Sequence, residues 1–337
     1  MNGEHRFRLP PYRVESVTVA LAETVDWGLS NYQVPQQWRD TRGQGVRVAV
    51  LDTGVEEQHP DLKDAIDEAR DFTGSMFGPS DRAGHGTHVA GTIGARRNQT
   101  GVIGVAPECR LLIGKVLGDD GSGRDDQVAA GIDWACDSGA DILSMSLGSP
   151  QPSAAIAAAI QRAVAKGKFV ICAAGNSGRP NSVDYPAKLP ETVAVGAVDR
   201  HGRTARFSSQ GDEVDICAPG EDVLSTYLNG SYAKLSGTSM ATPFVSGVVA
   251  LMLAKHRLNG GQSPIHNNQQ LIAHLQRSAT DAGPTGKDPS YGYGLIDPAL
   301  VLQVATPVVA GPEFRIAPIQ INGVSGALVF VPEGNHV

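Results

Sequence analysis

Several things are scarce in this chain. Only 5% of its 337 residues are aromatic, against 40 glycines, so its interior must be packed with small and branched aliphatic side chains. Basic residues are outnumbered 28 to 35, and the net charge of −7 leaves no cationic footprint for nucleic acid or for an anionic membrane. No long hydrophobic run is present. The densest, residues 244–254, is too short to cross a bilayer and reads as a buried helix. The amino terminus MNGEHRFRLPPYR carries charges where a secretion signal needs its apolar stretch, so the expected location is the cytoplasm. Cysteine is limited to Cys109, Cys136, Cys172 and Cys217, none at metal-ligand spacing. An even number permits disulfides, but a reducing compartment favours four buried free thiols.

What is present is a 41% hydrophobic composition, enough for a large core in one big α/β domain or two smaller ones. The runs VRVAVL (46–51), LLIGKVL (111–117), ADILSMSL (140–147), KFVICAA (168–174) and TVAVGAV (192–198) are short, apolar and β-branched, as strands buried on both faces are. Helix-like stretches near 87–95, 125–138 and 153–166 lie between several of them. This alternation predicts an α/β fold, a mostly parallel central sheet with helices on both faces, whose ligands bind beyond the carboxyl ends of the strands. Asp52 follows the first run directly and falls at that edge.

The stretch GHGTHVAGTIG (84–94) holds His85 and His88. Their i, i+3 spacing permits a shared helix face, but a zinc protease pair needs i, i+4 and an adjacent glutamate. No carboxylate lies between residues 84 and 94. Further on, LSGTSMATPFVSG places Ser239 just before an apolar helix, where free N–H groups favour developing negative charge. Asp52, His85 and Ser239 thus occur in one of the chain orders known for a nucleophilic triad.

VAVLDTGVEEQHPDL, GHGTHVAGTIG, SMSLG, AAGNSG and GTSMATP together resemble, in order, the aspartate, histidine, substrate-strand, oxyanion and serine motifs of the subtilisin-type serine proteases. The similarity runs from about Glu23 to about Ala299. It implies a serine endopeptidase acting on protein and peptide substrates. His85 would be the general base, Asp52 its orienting partner, Ser239 the nucleophile and Asn176 an oxyanion donor. Gly121, Ser122 and Gly123, with Ser146, Leu147 and Gly148, resemble the two strands that pair with an extended substrate.

The resemblance also implies calcium. Asn98 would give a side-chain oxygen and Arg96, Thr100 and Val102 carbonyls, completed by Asp61 and Glu23, an oxygen set of the kind a hard cation takes. A weaker cation site would use carbonyls of Ala187, Leu189 and Thr192. Alignment on Tyr185 and Pro186 puts Asp184 in the floor of the pocket for the residue before the cut, and so predicts arginine or lysine there. Asp125 would favour a further basic residue upstream, unless it is a solvated surface charge.

Residues 1–22 resemble the short extension of the intracellular subtilisins, with Leu9, Pro10, Pro11 and Tyr12 as a plug over the site, removed by cleavage between about residues 8 and 22. Arg8 and Arg13 are candidate cleavage points. Residues 23–304 would form the catalytic domain. The tail, 305–337, has two apolar runs, FRIAPIQING and GALVFVPEG, that read as strands, and family analogy gives it homodimer contacts. Two rival readings are a catalytically silent peptide-holding scaffold and a secreted protease lacking its signal.

Overall fold

Asp52, the residue expected at the working edge, ends a strand whose neighbours on both sides are apolar and parallel to it. The computed structural model describes residues 6–19, 22–261 and 263–303, and the backbone of 315–321 and 324–330. Its strands are β1 (Arg6–Arg8), β2 (Arg13–Thr18), β3 (Arg47–Asp52), β4 (Ile66–Asp71), β5 (Arg110–Lys115), β6 (Ser122–Arg124), β7 (Ile142–Met145), β8 (Phe169–Ala173), β9 (Val193–Val198), β10 (Ile216–Pro219), β11 (Val223–Tyr227), β12 (Ser231–Ser236), β13 (Arg315–Ile321) and β14 (Val324–Phe330). The helices are α1 (Trp27–Asn31), α2 (Val34–Gln37), α3 (His85–Gly94), α4 (Asp125–Asp137), α5 (Ala154–Ala165), α6 (Thr238–Leu258), α7 (Asn268–Ser278) and α8 (Pro298–Val301).

Seven strands form one sheet in the order β10-β9-β8-β7-β3-β5-β4, and every pairing in it is parallel. Alternate residues serve opposite faces. Leu143, Met145, Val170 and Cys172 share a core with Val128 and Ile132 of α4 and Ile156 and Ile160 of α5. Ser144, between two of them, faces the other way and bonds Ser246 of α6, Oγ to Oγ, at 2.9 Å. Helices therefore cover both faces, as the alternation predicted.

Local rules account for the helices. In α5 the hydroxyl of Ser153 accepts the Ile156 N–H, an N-cap ahead of an alanine-rich run. Its buried residues Ile156, Ala159, Ile160 and Ala163 recur at the spacing of one helix face. The run expected as a buried helix at 244–254 is part of the longer α6. That helix is long and apolar enough to cross a bilayer, but it is almost wholly buried within the fold.

Two small antiparallel sheets flank the large one, β1-β6 and β11-β12-β2. Both recruit strands from the first 18 residues. All four cysteines are free and buried. Residues 304–337 form a separate unit, in which β13 and β14 pair as a hairpin from Arg315↔Phe330 to Ile321↔Val324. The predicted tail strands are seen there, with 314 and 322–323 of the first run and 331–334 of the second outside the described residues.

Candidate active site

Asp52 is the last residue of β3, and His85 is the first of α3. Both side chains are buried, and His85 Nδ1 lies 2.8 Å from Asp52 Oδ1. Since a carboxylate only accepts, Nδ1 carries the proton and Nε2 is left as the free ring nitrogen. The same Asp52 oxygen accepts the Thr53 N–H at 2.7 Å. Backbone geometry fixes this approach. Gly84, before the helix, has φ +84°, and a Cβ on Gly86 would lie 2.1 Å from the carbonyl oxygen of Gly54.

A residue that the sequence reading passed over holds the start of α3. The buried carboxylate of Asp81 accepts from Thr53 Oγ1, from the N–H groups of Ala83, Gly84 and Thr87, and from Thr87 Oγ1. An aspartate just ahead of a glycine-started helix is the available signal. His88 is a fully buried packing residue whose Nε2 lies 2.9 Å from the Val223 carbonyl and 3.1 Å from that of Ala233. Burial pushes it down to about 3, so it is a neutral donor.

Ser239 is the second residue of α6 and is buried. Pro243, four residues on, has no N–H to give the Ser239 carbonyl. The hydroxyl of Ser146 donates there instead, at 2.9 Å, and Ser239 Oγ donates to the Ser146 carbonyl at 3.4 Å. Asn176 follows β8 in a loop. Its Oδ1 accepts the Thr238 N–H at 2.9 Å and Thr238 Oγ1 at 2.8 Å, which orients the amide so that Nδ2 faces the cleft.

That cleft contains the chain's own amino-terminal segment. β1 pairs antiparallel with β6. The Leu9 N–H donates to the Gly121 carbonyl at 3.0 Å, and Arg8 and Gly148 exchange two backbone bonds of 3.1 and 3.0 Å. Gly121, Ser122, Gly123 and Gly148 thus hold an extended strand between them, beside Ser146 and Leu147. Phe7 is fully buried in the core that contains Leu117 and Val128. Asn176 Nδ2 donates to the Pro11 carbonyl at 2.9 Å. The Tyr12 ring lies on His85, centroids 4.8 Å apart, and burial, then Tyr227, Asp52 and Asp81, push its hydroxyl up to about 12. Among the described residues His85 Nε2 has no hydrogen-bond partner.

Asp184 packs closely against Gly148 and Gly175. A Cβ on Gly148 would lie 2.9 Å from Asp184 Cβ, and one on Gly175 would lie 2.5 Å from its Oδ2. Burial pushes the carboxyl up to about 6. No charged partner offsets that burial among the described residues. Asp125 opens α4, next to β6.

The expected calcium residues come together, with one difference. Asp61 Oδ2 accepts the Val102 N–H at 2.9 Å, and the Arg96 N–H donates to the Asp61 carbonyl. Glu23 Oε2 accepts from the Gln99 N–H at 3.0 Å, and its Oε1 lies 3.5 Å from Arg97. Asn98, expected to offer oxygen, turns its NH₂ to Asp61 Oδ1 at 2.8 Å. Its own Oδ1 accepts from Thr100 N–H and Oγ1. Among the described residues no three His, Cys, Asp or Glu side chains group as a metal centre, so any cation here takes much of its oxygen from amide and backbone groups. At the second expected site the Thr192 hydroxyl lies 3.3 Å from the Ala187 carbonyl and 3.0 Å from that of Leu189. The hydroxyl has one proton to share among these and the Pro186 carbonyl at 3.1 Å, so it leaves acceptor capacity on the carbonyls assigned to a cation.

Residues 43–294 match the sequence model of the Subtilase family. The chain belongs to the subtilase family. It is 44% identical over 277 residues to subtilisin BL of Lederbergia lenta, covering 82% of this chain and 98% of that protein. It is 43% identical over 302 residues to an intracellular serine protease of Paenibacillus polymyxa, covering 87% and 91%. With M-protease of Shouchella clausii it shares 44% over 284 residues, 84% of this chain and 71% of that one. This subtilase is accordingly a serine endopeptidase, and its substrates are proteins and peptides.

Proposed function

We propose that this subtilase hydrolyses peptide bonds with Ser239 as nucleophile, inside the cell, and that its own residues 7–12 hold it inactive until they are cut away. The buried Asp52–His85 bond of 2.8 Å carries the reading. It leaves Nε2 as the basic nitrogen facing the cleft. His85 takes the Ser239 proton as Oγ attacks the substrate carbonyl. Negative charge then develops on the carbonyl oxygen, and Asn176 Nδ2 with the Ser239 N–H stabilises it. His85 returns the proton to the leaving amine, and water repeats the sequence on the acyl-enzyme. Asp52 holds the tautomer and orients the ring.

Support for inhibition comes from the occupant of the cleft. With Pro11 on the Asn176 amide, the bond presented to Ser239 joins Pro11 to Tyr12, and the Tyr12 ring lies on the base. Pro10 and Pro11 fix φ and remove two donors, which keeps the segment from relaxing into a regular substrate pairing. Release then requires cleavage elsewhere in the extension, by a second molecule, with Arg8 and Arg13 as the candidate sites. The intracellular location rests on the likeness to the Paenibacillus enzyme.

Asp184 gives the substrate preference. A carboxylate half-removed from water without a cation is matched by arginine or lysine before the cut. Glu23, Asp61, Asn98 with its amide turned over, and the carbonyls of Arg96, Thr100 and Val102 would hold calcium, an oxygen set of the kind a hard cation takes, and the ion would stabilise the folded chain. The tail, residues 305–337, would make dimer contacts.

The test is active-site labelling. The intact chain should react slowly with a serine-directed phosphonylating agent, the chain cleaved within residues 8–22 rapidly, and Ser239→Ala in neither form. Rapid labelling of the intact chain overturns the inhibition, and labelling of the alanine variant overturns the mechanism.

A further inference from the structure

β12 lies between two partners in its sheet. β11 is its permanent neighbour, and β2, from the extension, covers the other edge, with Arg13 opposite Ser236, Val17 opposite Ala233 and Thr18 opposite Tyr232. The chain runs from Pro11 on the Asn176 amide through Tyr12 on His85 and directly into this pairing. β2 therefore follows the course of whatever lies beyond the point of attack. All six of its residues are exposed. Val17 and Val19 are 55% and 70% exposed, so these side chains are not seated in pockets. The attachment is nearly all main chain, apart from one contact of 3.3 Å between Ser236 Oγ and Glu15 at the bulge.

When processing cuts beyond Thr18, within the expected span of residues 8–22, and the extension leaves, β12 becomes a bare edge with a row of unpaired N–H and C=O groups. Such an edge takes any extended strand through its backbone. We propose that in the activated enzyme the β12 edge, from Ser236 to Tyr232, is a docking strand for the substrate segment that follows the scissile bond. It would select unfolded polypeptide with at least about six residues beyond the cut, whatever their sequence, over short peptides and tight loops. This rests on the reading that the extension occupies the cleft as a substrate does and then departs.

The test uses the full chain after it has processed itself and a series of peptides identical up to the cut, with two, four, six or eight residues after it. kcat/KM should rise about tenfold along the series as strand hydrogen bonds are added. N-methylation of alternate amides in the distal segment should cancel the rise. A flat series, or a rise indifferent to N-methylation, overturns the proposal while leaving the protease reading intact. If even the shortest peptide is untouched, the proteolytic reading fails instead, and a second measurement still decides the edge. In full-chain Ser239→Ala carrying Val17→Pro and Thr18→Pro, β12 amides should lose hydrogen-exchange protection and regain it with the longest peptide. Failure of that peptide to restore protection, where β12 has become exposed, also overturns it. Retained protection without peptide overturns it as well, because the edge is then never bared.

Discussion

Asn176 holds the carbonyl of Pro11, a residue of the same chain 165 positions away, at 2.9 Å. On the proposed mechanism, the donor meant for the oxygen of a bond under attack is thus engaged by the chain's own Pro11 carbonyl. On either side of it the Tyr12 ring packs against His85, and Ser239 Oγ is turned to the Ser146 carbonyl at 3.4 Å.

Removal of that donor separates binding from chemistry. In the processed enzyme Asn176→Ala should lower kcat by roughly a hundredfold or more, because the amide acts mainly on the transition state. KM should stay within about threefold. Steady-state kinetics on one peptide checks both. A large rise in KM with unchanged kcat would assign Asn176 to ground-state binding.

Tyr12→Ala should raise the activity of the intact chain. Losing the ring frees His85 to engage Ser239 and weakens the segment's hold without touching Asp52, His85 or Asn176. The second-order rate of phosphonylation of Ser239 in uncleaved protein, with cleavage excluded by mass spectrometry, should increase about tenfold. An unchanged rate would mean that the prolines alone exclude the reagent.

On the proposed role of Asp184, the preference for a basic residue should depend on pH. Its carboxyl is raised to about 6 in the folded enzyme. It is neutral well below that pH and charged above it. The ratio of kcat/KM for matched arginine and phenylalanine peptides should therefore be small at pH 5 and increase through pH 6 to a plateau near pH 7.5. Taking a ratio cancels every pH effect common to the two substrates. Asp184→Gly should give a low ratio with no such rise. The same shift has a stability consequence of fixed sign. A carboxyl harder to ionise in the folded state disfavours folding once pH exceeds its ordinary value of 3.8, with the full effect present above about 6. Asp184→Asn should accordingly raise the melting temperature at pH 7.5 and change it little at pH 3.5.

Calcium removal should lower the melting temperature and accelerate self-digestion. An ion bound only to the folded state stabilises it by mass action, about 2.7 kcal/mol at a hundred times its Kd. Asp61→Asn, which removes one of the two carboxylates, should shrink the difference between calcium and excess chelator. Identical melting curves for the wild-type protein in both, with no residual metal, would dismiss the ion.

The sequence was most legible where burial is complete. β3, β5, β7, β8 and β9 lie within the apolar runs or overlap them closely, because a strand covered on both faces has no polar side to disguise it. β4 escaped because IDEARD, at the sheet edge, is only half covered and reads as a charged turn. β2 escaped for a similar reason: its pairing is made by backbone, and backbone pairing leaves no trace in side-chain chemistry. At the site, Asp52, His85 and Ser239 stood out as polar residues in small-residue motifs. Asp81 did not, since a carboxylate that accepts five bonds looks the same in one dimension as one in water. The amide orientation of Asn98 depends on whether its neighbour is a carboxylate or a cation, which spacing cannot state.

Pro243 sits inside a buried helix, where its missing N–H would ordinarily be a defect. Here the orphaned carbonyl is that of Ser239, and Ser146, which precedes the strand-pairing Gly148 by two residues, supplies the missing hydrogen. The peptide-gripping edge and the attacking residue are consequently bolted together, and thermal drift of α6 carries both rather than opening a gap between them. Tolerance at position 146 should be correspondingly narrow. Alanine there removes the bolt while leaving every reacting group in place, so its damage would surface as scatter in alignment, with slower acylation at undiminished affinity.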